Sequence, residues 1–269
     1  MSFVKYIEER IKLNDGVAIP RLGLGVYQIP KGKASIEAVS YALNIGYRLI
    51  DTAAIYGNEI EVGKAVRDSN VAREEIFVTT KLWNSEHGYE RALRAFDGSL
   101  KKLGLEYVDL YLIHWPVESR QESWRALVEL KKQGKCKTIG VSNYMINHLE
   151  ELLQNSDIVP TVNQVEFNPF LYQKELLTYC EKKKIQLEAY SPLARAARIR
   201  DPRLREVAEK YSKTPAQIMI RWCLQHNVIP IPKSSNPKRI EENMQVFDFE
   251  ISSKDMQNLD ALDENLRED

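Results

Sequence analysis

Short runs of β-branched and aliphatic residues recur along the chain. Each is followed by a turn and then by a longer charged stretch whose apolar positions return every three or four residues. The runs occupy 22–25, 48–51, 76–81, 108–113, 138–142, 162–166, 186–189 and 228–231, mostly about 25–30 residues apart, the length of a strand, a crossover helix and two loops. Several, 108–113 above all, are apolar at nearly every position, as strands buried on both faces of a parallel sheet must be. Between them, Ala92, Phe96, Leu100 and Leu103 fall on one helical face, as do Trp124, Leu127 and Val128 ahead of Gly134. Ser35 predicts the cap of a helix carrying Ile36, Val39 and Leu43 and ending near Gly46, and Thr214 before Pro215 starts another.

Two stretches depart from strict alternation. Residues 6–12, the turn Asn14-Asp15-Gly16 and residues 17–19 read as a β-hairpin that covers the floor of a barrel. The gap between the seventh and eighth strands has room for an extra helix from Pro202 to about Tyr211. No composition shift or linker marks a second domain, and α/β barrels run to about 250 residues as one unit. The expectation is an α/β chain forming one domain over residues 1–269, a (β/α)8 TIM barrel with an N-terminal β-hairpin and extra helices. The rival is a doubly wound sheet, which uses fewer strands and often a glycine fingerprint. Gly23-Leu24-Gly25-Val26-Tyr27-Gln28 has only the first two glycines of that fingerprint, with no helix start in register.

Composition narrows the functional classes. Thirty-eight Lys+Arg balance thirty-eight Asp+Glu, so no excess of cations points to nucleic acid. The longest nearly uncharged apolar run, 110–117, is far short of the 18 or so residues of a membrane span. Charges at the N-terminus, where a signal peptide needs an apolar stretch, predict no export. Cys136, Cys180 and Cys223 are widely spaced with no CxxC pair, which fits a cytoplasmic protein with neither a disulfide framework nor a zinc site.

In a barrel of this kind the chemistry gathers at the C-terminal ends of the strands. Those ends carry Asp51, Lys81, His114, Ser142-Asn143, Gln164 with Glu166, Tyr190-Ser191 and Lys233-Ser234. Any one of them is more often a cap or a loop anchor than a catalyst; as a set they converge on one mouth. Asp51 and Lys81 end neighbouring strands and can meet as a buried ion pair, which would either fix register or serve chemistry. Tyr56 follows in the next loop, and a phenol beside an ammonium would have its pKa pulled below about 10. Such a tyrosine serves as a general acid. His114 points at the same space. His87, His148 and His226 have no spacing that suggests metal ligands, so no metal is expected.

These residues lie within runs that resemble the aldo-keto reductase family. The first is Gly46-Tyr47-Arg48-Leu49-Ile50-Asp51-Thr52-Ala53-Ala54-Ile55-Tyr56-Gly57-Asn58-Glu59. The second is Leu103-Gly104-Leu105 with Val108-Asp109-Leu110-Tyr111-Leu112-Ile113-His114-Trp115-Pro116. The third is Ile231-Pro232-Lys233-Ser234 with Arg239-Ile240 and Glu242-Asn243. Gly140-Val141-Ser142-Asn143, Asn163-Gln164 and Tyr190-Ser191-Pro192-Leu193 also fit, so the likeness covers essentially the whole chain, in order. It is similar to the short microbial type: 2,5-diketo-gluconate reductases, glyoxal or methylglyoxal reductases and prostaglandin F synthase-like enzymes.

The resemblance implies a monomeric carbonyl reductase that binds NADPH (NADP+ in the reverse direction) without a Rossmann domain and acts on small aldehydes, ketones or ketoaldoses. By position, Tyr56 would be the proton donor, Lys81 and Asp51 the pair that lowers its pKa, and His114 the group that orients the carbonyl. Ser142, Asn143 and Gln164 would hold the nicotinamide carboxamide, and Tyr190 would stack on the ring. Ser191, Pro192 and Leu193 would pass the pyrophosphate. Lys233, Ser234 and Arg239 would take the 2′-phosphate, with Glu242 and Asn243 near adenine. The substrate pocket would be walled by Tyr27, Trp83, His114 and Trp115.

Three features depart from the family pattern. The chain stops at Asp269, soon after Leu262, where the family carries a loop over the mouth, which predicts an open pocket or a shortened chain. The loop after Tyr190 carries Arg195, Arg198, Arg200 and Arg203, which would favour anionic groups unless it is simply solvated. Asn168 stands where many relatives have histidine. A binding or structural protein on the same fold, such as a channel β subunit or a lens crystallin, is the rival class; the joint presence of Asp51, Tyr56, Lys81 and His114 favours an enzyme.

Overall fold

The computed structural model describes residues 9–267; positions 6–8 of the expected first strand lie outside them. Strands β1 (Arg10–Lys12) and β2 (Ala18–Pro20) pair antiparallel with Ile11 opposite Ile19, the expected hairpin. Eight parallel strands follow in chain order, each beside the next: β3 (Leu24–Gly25), β4 (Leu49–Asp51), β5 (Phe77–Leu82), β6 (Val108–Ile113), β7 (Cys136–Ser142), β8 (Val162–Glu166), β9 (Gln186–Tyr190) and β10 (Ile229–Pro230).

The ring closes between its first and last strands. Gly23 N–H donates to the Pro230 carbonyl (3.1 Å) and Gly25 N–H to the Pro232 carbonyl (3.2 Å), and Gly25 bridges to Lys233. A Cβ on Gly25 would sit 2.7 Å from the Ile231 carbonyl oxygen, so only glycine permits this approach. The regular ladder here is shorter than the expected runs 22–25 and 228–231. Pro230 and Pro232 have no N–H to contribute, which leaves carbonyls alone to hold the seam.

The helices are α1 (Lys33–Ile45), α2 (Glu59–Arg67), α3 (Tyr89–Leu103), α4 (Arg120–Lys132), α5 (Ile146–Asn155), α6 (Lys174–Lys182), α7 (Pro202–Lys210), α8 (Pro215–Gln225), α9 (Pro237–Met244) and α10 (Ser253–Asp260). The extra helix expected from Pro202 is α7. Thr214 forms a capping box with Gln217 at the start of α8, as the Thr-Pro signal predicts. Ser35 does not cap α1. The helix begins two residues earlier, and Ser35 is buried with its hydroxyl donating to the Pro30 carbonyl (2.8 Å).

Two apolar cores form among the described residues. One lies between strands and helices and includes Trp124, Trp222, Phe96 and Tyr111. The other joins Leu49, Phe77, Leu110, Leu112, Val162, Ile229 and Ile231 with Leu13 and Ile19 of the hairpin region. Leu13 and Ile19 plug the barrel floor. Because strand side chains alternate with a period of two, the inward positions run from that floor to polar groups at the mouth: Leu49 to Asp51, Phe77 to Lys81, Val162 to Gln164.

Candidate active site

The deepest charges at the mouth are paired. Lys81 Nζ lies 2.6 Å from Asp51 Oδ1, both side chains buried, and also donates to the Thr52 carbonyl (2.9 Å). Burial would lower the Lys81 pKa, but Asp51, with Tyr56 behind it, more than offsets this and holds it above the usual lysine value.

Tyr56 ends a single 3-10 turn (Ala54–Tyr56) after β4, closed by Gly57 in the left-handed region (φ 68°). Buried Asn58 fixes this loop, accepting from the Thr52 hydroxyl (2.8 Å) and donating to the Val26 carbonyl (3.0 Å). The Tyr56 ring lies 4.9 Å from that of Tyr27 and 5.8 Å from that of His114, with the Lys81 ammonium 5.1 Å from its centroid. The expected lowering of its pKa is not what the geometry produces. Burial pushes the phenol up to about 12, the Lys81 charge opposing this and the Asp51 carboxylate adding to it. Tyr56 is therefore fully protonated at neutral pH.

His114 is buried against Trp83, ring centroids 5.2 Å apart and edge-on. Burial, and then the Lys81 charge, hold its pKa down to about 2, so the imidazole is neutral and has one N–H to donate. Trp115 follows it, half-buried, and Tyr27 is exposed at the rim.

The neighbouring strand ends form a connected set. Ser142 Oγ donates to the Gln164 carbonyl (2.8 Å), and Asn143 Nδ2 to the His114 carbonyl (3.0 Å). The Tyr190 hydroxyl donates to Asn143 Oδ1 (2.9 Å). Gln164 Nε2 donates to Asp51 Oδ2 (2.8 Å) and to Glu188 Oε2 (2.6 Å). Asn143 takes a left-handed backbone (φ 62°), one that Asn tolerates better than most residues.

Beyond Tyr190, the loop through Ser191, Pro192 and Leu193 is bent by left-handed Ser191, Ala194, Arg195 and Ala196. Its basic character is partly spent internally: Arg198 pairs with Glu264 (2.8 Å), and Arg203 with Glu264 (3.0 Å) and Asp201 (2.8 Å). The Glu264 and Leu266 N–H groups donate to the Phe170 carbonyl, so the last described residues pack on the loops that follow β8 and β9. Asn168 serves that loop, its Oδ1 accepting from Phe170 N–H (3.0 Å).

At the seam, Lys233 is exposed and Ser234 buried. Asn236 caps α9, its Oδ1 accepting from Arg239 N–H (3.2 Å), with Pro237 first in the helix. Arg239 is thus in the first turn, as expected, and exposed. Among the described residues neither Lys233 nor Arg239 pairs with a carboxylate, so two cations flank a helix N-terminus with no protein anion between them. A phosphate fits that arrangement. Glu242 accepts from the Thr214 hydroxyl (2.8 Å), and Asn243 is buried beside it.

Three residues of this site escape the reading of strand ends. Thr52 and Asn58 act through loop geometry. Glu188 sits at an inward position two residues before Tyr190, and that period-two placement is the signal that could have found it.

The aldo/keto reductase family profile matches residues 21–264. Glyoxal reductase of Bacillus subtilis (strain 168) is 50% identical over 262 residues, covering 97% of this chain and 95% of the relative. Methylglyoxal reductase DkgA of Escherichia coli (strain K12) is 46% identical, covering 96% and 94%. The crystal structure of a Bombyx mori aldo-keto reductase in complex with NADP superposes with a TM-score of 0.90 at 38% identity, covering 96% of this chain and 94% of that one. The chain belongs to the aldo/keto reductase family, and as a member of it is an NADP-dependent oxidoreductase.

Proposed function

We propose that this protein reduces the carbonyl group of small aldehydes, ketones or ketoaldoses with NADPH, Tyr56 being the proton donor. The observation that carries the reading is the convergence of a protonated Tyr56, a neutral His114 and the buried Lys81–Asp51 pair on one barrel mouth. Bound NADPH supplies a hydride for the carbonyl carbon.

The protein's own groups do the rest. Reduction places developing negative charge on the carbonyl oxygen, where the Tyr56 hydroxyl and the His114 N–H both donate. The Tyr56 proton is available at neutral pH because the phenol is held near 12. The Lys81 ammonium beside the ring stabilises the phenolate left behind, and Asp51 keeps that ammonium charged and in place. Ser142, Asn143 and Gln164 hold the carboxamide, and Tyr190 supplies a flat platform for the nicotinamide. Ser191, Pro192 and Leu193 line the pyrophosphate, and Lys233, Ser234 and Arg239 take the 2′-phosphate, with Glu242 and Asn243 beside adenine. Tyr27, Trp83 and Trp115 join His114 as an aromatic wall for substrate. The names of the relatives favour glyoxal and methylglyoxal as first substrates to try.

Tyr56→Phe keeps the ring and removes the proton. Carbonyl reduction should fall by the 10²–10⁴-fold typical of a general acid, with NADPH affinity nearly intact by fluorescence titration. A variant that keeps more than about a tenth of the wild-type kcat would remove Tyr56 from this role.

A further inference from the structure

Glu188 stands in the middle of β9, directly across the ladder from Gln164. It is completely buried inside the ring, and the reaction described above does not use it. Its carboxyl has one hydrogen-bond partner among the described residues: Gln164 Nε2 reaches Oε2 at 2.6 Å, and Oε1 has none. A buried carboxyl with a single hydrogen bond is costly to keep. Burial, and then the nearby Asp51 charge, accordingly raise its pKa well above the ordinary carboxyl value. An apolar side chain would fill the same space without that penalty, so packing does not explain the residue.

Its one bond does. The same Gln164 nitrogen also donates to Asp51 Oδ2 (2.8 Å). An amide has two unlike ends, an NH2 that donates and an oxygen that accepts. Asp51 Oδ2 accepts on one side, and on the other Glu188 accepts through Oε2, its carboxyl proton resting on the partnerless Oε1, so the amide turns its NH2 inward. The amide oxygen is then the end Gln164 can offer to the NH2 of a bound carboxamide. With Asp51 alone, the amide would have one acceptor to orient it and freedom to rotate about that contact.

We propose that Glu188 is a positioning residue. It locks the Gln164 amide in its accepting orientation and so couples the seat of the cofactor's carboxamide to the Asp51–Lys81 pair. This rests on the reading of Gln164 as a carboxamide ligand.

The test compares NADPH dissociation constants from fluorescence titration, with kcat for a simple aldehyde at saturating NADPH, in four variants. Glu188→Met removes the acceptor at similar length and should weaken NADPH about tenfold, the equivalent of one hydrogen bond, with a smaller fall in kcat. Glu188→Asp keeps the carboxyl but withdraws it by one methylene, and should weaken NADPH similarly; it also carries the test if the Met variant does not fold. Glu188→Gln retains an acceptor oxygen and should restore affinity to within about threefold of wild type. Gln164→Met should weaken NADPH at least as much as Glu188→Met. Wild-type affinity in the Met and Asp variants, with only a lowered thermal midpoint, would mean a structural role and overturn the proposal. A Gln variant as weak as the Met variant would overturn it too. If Gln164→Met alone weakens binding, the carboxamide reading stands and the role of Glu188 falls; if Gln164→Met binds normally, the carboxamide reading itself fails.

Discussion

Lys81→Met is the sharpest probe of the site. Methionine is unbranched and close to lysine in reach, so the space at the mouth stays filled while the ammonium goes. In the protein Lys81 is completely buried, 2.6 Å from Asp51. Its removal leaves the Asp51 carboxylate with Gln164 Nε2 as its side-chain donor, a nitrogen already shared with Glu188. Breaking a buried pair from one side costs about 3–5 kcal/mol, because the remaining charge is uncompensated. At about 2–4 °C per kcal/mol for domains near this size, the thermal midpoint should fall by roughly 10 °C. Activity should fall as well. Burial already pushes the Tyr56 phenol up to about 12 against the Lys81 charge, and without that charge the phenolate becomes harder to form.

The assays are thermal unfolding by circular dichroism and NADPH oxidation with a simple aldehyde. Adding Asp51→Asn to Lys81→Met removes the stranded charge, so the double variant should regain most of the lost midpoint while staying inactive. The pH dependence has a definite sign. Because the Lys81 pKa is raised in the folded state, the pair's contribution is complete below the unfolded lysine value of about 10.4 and is lost only as pH climbs through the folded value. The midpoint difference between wild type and Lys81→Met should therefore stay flat through neutral pH and shrink only in strong alkali. An unchanged midpoint with unchanged activity, or a double variant no more stable than the single, would refute the reasoning.

Arg239→Ala should weaken NADPH by about tenfold or more and NADH little, since a charge-assisted hydrogen bond is worth about 1.5–3 kcal/mol; equal losses for both cofactors would move the phosphate elsewhere. Tyr190→Ala should weaken NADPH by about tenfold, within the range of about 1–3 kcal/mol for stacking a base on an aromatic side chain, and reduce the quenching of protein fluorescence on binding. An unchanged dissociation constant would place the nicotinamide away from Tyr190. Gly25→Ala puts a Cβ 2.7 Å from a backbone oxygen that cannot move aside cheaply, so it should lower stability by about 1–3 kcal/mol in urea unfolding. A wild-type midpoint there would show that the seam yields.

Strands buried on both faces were the most legible part of the chain: the apolar runs 108–113 and 162–166 coincide with β6 and β8. The seam was less legible because pairing there depends on proline's missing N–H, which hydrophobicity does not register. Ser35 was misplaced because a serine's tendency to cap is local, whereas its bond to the Pro30 carbonyl depends on how the preceding loop folds back. At the site, residue types at strand ends were enough to locate Asp51, Lys81 and His114 around one mouth. The sign of the Tyr56 shift was not readable, because sequence supplies the neighbouring charge but not the depth of burial that outweighs it. Glu188 was hidden for a related reason: its importance lies in which atom of Gln164 it faces.

The seam also sets a timetable. Gly23 and Gly25 must find the carbonyls of Pro230 and Pro232, about 200 residues further along the chain. At roughly 5–20 residues per second of synthesis, β3 leaves the ribosome some 10–40 s before its closing partner exists. During that interval the β3 side of the growing sheet stays an unpaired edge, the kind of surface that recruits foreign strands. Here the edge is Leu24–Gly25, two residues of regular strand, too short to template another chain. The brevity of β3 thus leaves that side of the nascent sheet little to aggregate through while it waits for the last strand.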